Sequence, residues 1–139
     1  MQTQTISTAF DDDARDAVRQ AVDLLRAGEV VALPTETVYG LAADAFNAAA
    51  VAKIFDAKDR PSFDPLIVHI PMPSALDQVA EVPREIAKTL QRITEKLWPG
   101  PLTVLLPRKD TLPDIVTSGL PTVAVRCSRD PVFKQVIKE

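Results

Sequence analysis

A mixed α/β domain, built on an open twisted sheet with flanking helices, is what this sequence predicts. Three observations carry the prediction. Helical periodicity alternates along the chain with short, continuously apolar runs near residues 29–33, 63–70, 102–106 and 122–126. Twelve prolines against four glycines sit between these segments rather than inside them, which implies short elements joined by stiff turns. The length of 139 residues and the apolar fraction of 46% suit one domain with a real core. The whole chain, 1–139, therefore reads as a single domain, with about ten flexible residues at its start.

Taken in order, residues 1–10 are polar apart from Ile6 and Phe10. Asp11, Asp12 and Asp13 then precede a helix, where acidic side chains complement the dipole; they read as a helix start rather than a metal site. Val18, Ala21, Val22 and Leu25 recur on one helical face, and Gly28 is the expected stop. Residues 29–33 form the first strand, which Pro34 ends because it cannot donate to a ladder. Gly40 is expected to take backbone geometry that a side chain would forbid. Residues 42–46 are partly extended. Asn47 is a good N-cap for a helix to about residue 57 with Val51, Ile54 and Phe55 inward, and Pro61 is expected to stop it.

Residues 63–70 form the second strand, ended by Pro71 and Pro73. Ser74 is the expected cap of a short helix, and Pro83 fits the first position of a longer one. Ile86, Leu90, Ile93 and Leu97 are spaced as a buried stripe, stopped by Trp98-Pro99-Gly100-Pro101. Residues 102–106 and 122–126 form the last two strands, with a loop across 111–121 that holds the hydroxyl-rich turn Thr117-Ser118-Gly119. Asp130 caps and Pro131 opens a final helix with Val132, Phe133 and Val136 inward. The continuous apolar strands imply a sheet covered largely on both faces.

Composition excludes several classes. A net charge of −3 argues against a broad nucleic-acid footprint, although a local basic groove remains compatible with it. One cysteine, Cys127, leaves no internal disulfide, as expected in a reducing compartment. The first residues lack the pattern of a signal peptide, and no apolar run approaches the ~18–20 residues of a membrane span. A soluble cytoplasmic protein with no membrane contact is the expectation. GxGxxG, GxxxxGK[ST] and GxSxG are all absent.

Chemistry concentrates in four places. Residues 34–41, Pro-Thr-Glu-Thr-Val-Tyr-Gly-Leu, crowd hydroxyls and a carboxylate onto a strand exit; this suits a small polar ligand or merely a polar turn. Lys58 and Arg60 flank a proline-stiffened turn, where they could grip a triphosphate or form a solvated basic helix end. His69, the single histidine, is either a satisfied core residue or a ligand partner at a strand end, and it is poor evidence for a metal. Arg126 follows the apolar Val123-Ala124-Val125. A buried guanidinium there needs a structural carboxylate, with Glu36 one candidate, or a substrate carboxylate.

Residues 34–41, Lys58-Asp59-Arg60-Pro61, residues 65–69, residues 98–103 and residues 122–126 together resemble the YrdC-type domain of L-threonylcarbamoyladenylate synthases. The resemblance runs from about residue 14 to the end of the chain, with five motifs in the family's order. It implies synthesis of L-threonylcarbamoyl-AMP from L-threonine, bicarbonate and ATP, with release of pyrophosphate. That product serves the threonylcarbamoyl modification of tRNA adenosine 37, and other proteins perform the transfer to tRNA. The implied roles are phosphate binding and catalysis for Lys58 and Arg60, and nucleotide contact for Ser118. Thr37, His69, Tyr39, Thr122 and Arg126 would hold L-threonine, and Mg2+ would accompany ATP. No covalent nucleophile and no protein metal site are implied.

The chain departs from the family's pattern twice. Asp64 stands in the ATP-binding region where an asparagine is expected, so it must meet a metal or turn away from phosphate. The family's domain is also expected to continue for about 50 residues and to include a Ser-Ala-Asn motif, so these 139 residues alone are expected to be weakly active or inactive. Competing readings are an RNA-binding module, a carbamoyl-adenylate domain like those of hydrogenase maturation proteins, and a non-catalytic fragment acting through interactions.

Overall fold

The computed structural model describes residues 3–8, 11–61 and 63–139. Expectations for residues 1–2, 9–10 and 62, and for the side chains of Asp11 to Asp13, fall outside the described part.

Helix α1, Asp11–Arg26, buries Ala17, Val18, Ala21 and Val22, with Leu25 partly covered, as its periodicity predicts. Gly28 closes it at φ +76°, with its amide bonded to Leu25 O and the amide of Glu29 to Leu24 O. That paired closure requires a left-handed residue, which glycine supplies without a Cβ clash. Strand β1, Val31–Leu33, then pairs antiparallel with β2, Gly40–Ala42. The chain thus makes a small hairpin where the sequence predicts one strand and a loosely extended stretch. Gly40 opens β2 with nothing within 4 Å of an added Cβ. The expected steric need for glycine is absent there, and the residue serves as a strand end.

Helix α2, Ala48–Lys58, starts as predicted: Asn47 accepts hydrogen bonds from the amides of Ala49 and Ala50. Its end differs from expectation. Asp59 takes the left-handed region at φ 50°, and the amide of Arg60 reaches Phe55 O at 3.0 Å. The helix closes by this reversal two residues before Pro61, so proline follows the stop rather than causing it.

The main sheet has three strands in the order β3-β5-β4, where β3 is Ile67–His69, β4 is Thr103–Pro107 and β5 is Thr122–Arg126. β5 lies central, parallel to β3 and antiparallel to β4. Alternation along β5 divides its residues between two faces. Val123 and Val125 point into the main core with Val68 and Leu106, while Thr122, Ala124 and Arg126 share the opposite face. Ile67 and Leu105 flank Ala124 on that second face, and they remain 46% and 68% exposed. Cover on this second face is partial: Ile67 and Leu105 are open, while His69 and Arg126 at its other end pack against Phe133 and Glu36, so the expected cover on both faces holds for only part of the sheet. The apolar runs here reflect a buried face plus exposed apolar residues on short edge strands.

Between β3 and β4, Pro73–Gln78 forms a 3-10 helix with Met72, not Ser74, at its N-cap position. Helix α3, Arg84–Leu97, has Pro83 one place earlier than expected, at the N-cap. Its apolar stripe is the clearest correction. Ile86, Ile93 and Leu97 are 41%, 40% and 52% exposed, and Leu90 alone of the four packs partly on the core. Periodicity reports that a helix has an apolar face; it does not supply an element to cover it. Residues 111–121 are not all loop, because Asp114–Thr117 forms the one-turn helix α4. Helix α5, Pro131–Val136, is capped by Asp130, whose carboxylate accepts from the amide of Phe133 at 2.9 Å.

Two apolar clusters hold these elements. The larger joins α2, the 3-10 helix, the buried face of the sheet, Trp98 and α4; the smaller joins α1, Leu33 and α5. No helix among the described residues is long and apolar enough to cross a membrane.

Candidate functional site

The turn between β1 and β2 is shaped by Thr35. Its hydroxyl accepts from the amides of Thr37 at 3.2 Å and Val38 at 3.1 Å and donates to Val38 O at 2.6 Å. A threonine that bonds its own turn in this way substitutes for ladder partners. The turn carries Glu36 back toward the end of β5. Glu36 Oε1 lies 3.0 Å from Arg126 Nη2 and 3.3 Å from Nε, and Arg126 Nη2 also donates to Thr37 Oγ1 at 3.3 Å. The pair is buried, with 4% of the Glu36 side chain and 10% of the Arg126 side chain exposed. Glu36 therefore meets the arginine for which the sequence named it as a candidate partner. The structural reading of Arg126 holds, while its Nη1 group makes none of these bonds.

Ser128 completes the cluster. It is fully buried and donates from Oγ to Glu36 Oε2, and it accepts from the amide of Asp130 at 3.3 Å. Burial pushes the Glu36 carboxyl up. The Ser128 hydroxyl, its own backbone amide and the Arg126 guanidinium outweigh that and hold it at about 2. Sequence reasoning missed Ser128 because a serine after a strand carries no periodic signal.

His69 stands opposite Arg126 in the β3–β5 register. Burial and the Arg126 charge, opposed by Glu36, bring its imidazole down to about 4, so it is neutral at neutral pH. Its ring lies 4.6 Å from that of Phe133, and its buried Nδ1 has no hydrogen-bond partner. A buried ring nitrogen without a partner is available to a ligand. Tyr39 is 75% exposed. Thr122 shares the Arg126 face of β5.

The cationic pair sits across a cavity of about 790 Å³, whose wall includes Lys58, Arg60, His69 and Thr35. Lys58 is exposed at the end of α2. Arg60 is turned onto its own loop: Nε donates to Asp64 O at 3.1 Å, Nη2 to Pro65 O at 3.0 Å, and Nη2 lies 2.9 Å from Asp64 Oδ2. Asp64 thus occupies the arginine expected to hold phosphate. Ser118 adopts the left-handed region at φ 54°, and its buried Oγ has no partner. Ser118, Thr122, Thr37, Tyr39, Asp64 and Arg126 do not line the cavity that holds Lys58, Arg60 and His69. Cys127 is buried, which raises its thiol above the usual range, as expected of a packed thiol.

Comparison with known proteins agrees with these motifs. A family model for Sua5, YciO and YrdC proteins, described as "Telomere recombination", matches residues 23–139. The threonylcarbamoyl-AMP synthase of Bacillus subtilis is 51% identical over 123 residues, 88% of this chain and 35% of that protein. The enzyme of the same name from Pyrococcus abyssi is 41% identical over 121 residues, 87% of this chain and 35% of that protein. The crystal structure of P. abyssi Sua5 complexed with L-threonine superposes with a TM-score of 0.81 at 43% identity, over 87% of this chain and 35% of that one. The chain therefore spans about a third of the length of these relatives. The family match over most of the sequence, and the shared fold, establish that the chain belongs to the Sua5/YciO/YrdC family.

Proposed function

We propose that this domain synthesises L-threonylcarbamoyl-AMP from L-threonine, bicarbonate and ATP, releasing pyrophosphate and water. The product would serve threonylcarbamoyl transfer, by other proteins, to adenosine 37 of tRNA. The observation that carries the reading is Arg126. It is buried, fixed by Glu36 and Thr37, and its Nη1 group is unengaged beside the neutral ring of His69. A fixed guanidinium with a free edge fits an amino-acid carboxylate. The relative from P. abyssi, captured with L-threonine, supports that ligand.

In this reading the threonine nitrogen attacks the carbon of bicarbonate to give a carbamate, with loss of water. A carbamate oxygen then attacks the α-phosphate of ATP and pyrophosphate leaves. Both partners are anionic, so the site must align them and offset their charge. Arg126 holds the carboxylate, with Thr37, Thr122 and Tyr39 at the border of that pocket. The free Nδ1 of His69 bonds the threonine. Lys58 and Arg60 meet the phosphates, Arg60 by exchanging the Asp64 carboxylate for a phosphate oxygen, and Ser118 Oγ meets the nucleotide. No three His, Cys, Asp or Glu side chains converge on a metal position among the described residues. Mg2+ would accompany ATP and would offset phosphate charge beside Lys58 and Arg60.

Threonine binding and pyrophosphate release test the reading together. L-threonine should shift the resonances of Thr37, His69 and Arg126, and pyrophosphate release should require both L-threonine and bicarbonate. Arg126→Ala should weaken threonine binding by at least about tenfold, as expected for a lost charge-assisted bond. Pyrophosphate release indifferent to threonine would overturn the assignment.

A further inference from the structure

We propose that Ser128 is a positioning residue: through its bond to Glu36 it fixes the direction in which Arg126 presents its free guanidinium edge. The inference rests on reading Arg126 as the carboxylate partner of L-threonine.

The geometry forms a relay across the molecule. Asp130 caps α5 through the amide of Phe133, and the amide of Asp130 in turn bonds Ser128 Oγ. Ser128 has no exposed surface, so its hydroxyl has no water to exchange with, and it donates to Glu36 Oε2. The other oxygen of the same carboxylate takes both Nε and Nη2 of Arg126. A carboxylate held at each oxygen cannot rotate about its terminal torsion, which is otherwise broad. A guanidinium bonded through both Nε and Nη2 is likewise fixed in plane. Thr37 closes the ring, because the same Nη2 donates to its hydroxyl. The outcome is that Nη1 points along one direction without any ligand present. Ser128 shares no hydrogen bond with Arg126, so it acts through Glu36.

Arginine side-chain NMR and threonine binding test this on the full chain. In the unaltered protein the Nε–H of Arg126 should give a resolved, slowly exchanging resonance. Ser128→Ala should speed its exchange at least tenfold and weaken L-threonine binding about tenfold, with ATP binding within twofold of the original. Ser128→Thr, which keeps the hydroxyl, should restore both readouts. Glu36→Gln preserves shape and should lose the protected resonance even where Ser128→Ala folds poorly. An unchanged Nε–H in the folded Ser128→Ala protein would overturn the proposal. So would loss of that protection with threonine affinity intact. Protected Nε–H in a protein that does not bind threonine would instead overturn the ligand reading on which the proposal rests.

Discussion

Acidifying the protein from about pH 7 to about pH 5 should cost it about 2 kcal/mol of stability through His69 alone. Its imidazole titrates at about 4 in the folded chain against 6.5 when free. Across that interval the unfolded chain takes up a proton that the folded chain refuses, so stability is full above 6.5 and falls as the pH drops toward 4. A displacement of this size is worth about 3 kcal/mol at its limit, and about 2 kcal/mol has been lost by pH 5. Glu36 leaves this window clear. Its carboxyl is lowered from 4.5 to about 2, so its contribution is present above 4.5 and disappears only below that. Urea denaturation at the two pH values, on the original chain and on His69→Gln, isolates the effect. The variant should lose about 2 kcal/mol less between the two conditions. An equal acid loss in both proteins would refute the argument, as would NMR titration of the His69 ring near 6.5.

Three further substitutions separate packing from pattern, and charge from geometry. Leu106→Ala, in the core at 2% exposure, should cost about 2–5 kcal/mol in denaturant unfolding. Ile93→Lys on the open face of α3 should cost less than about 1 kcal/mol; a large loss there would mean that the stripe is covered after all. Asp64→Asn should free Arg60 from its carboxylate and tighten ATP binding a few-fold by equilibrium titration. Weaker binding would show that Asp64 contributes to the nucleotide site instead of competing with it.

Local chemistry was legible in the sequence, and what depended on distant partners was less so. Asn47 and Gly28 act on backbone within a few residues, and both do what their types predict. Asp59 escaped because an aspartate in the left-handed region is uncommon, and Pro61 offered a nearer explanation. The hairpin β1–β2 was half seen: a three-residue strand beginning at Gly40 has too little periodicity to register. On α3 the apolar pattern was read correctly and its burial was not, since cover is a property of other elements. At the candidate site, Glu36 and Arg126 are 90 residues apart, yet a lone arginine after an apolar strand signalled a need for an acid. Nothing equivalent marked Ser128, whose hydroxyl matters only because of where Glu36 arrives.

The alternation of β5 couples the integrity of the core to the placement of Arg126. Val123 and Val125 fill the interior while Thr122, Ala124 and Arg126 take the other side of the same five residues. A slip of one residue would drive a guanidinium inward and two valines outward, a combination far too costly to persist. Misaligned molecules would therefore unfold rather than linger as inactive impostors. Every chain that folds stably has already placed Arg126 on the face opposite Val123 and Val125, beside Glu36.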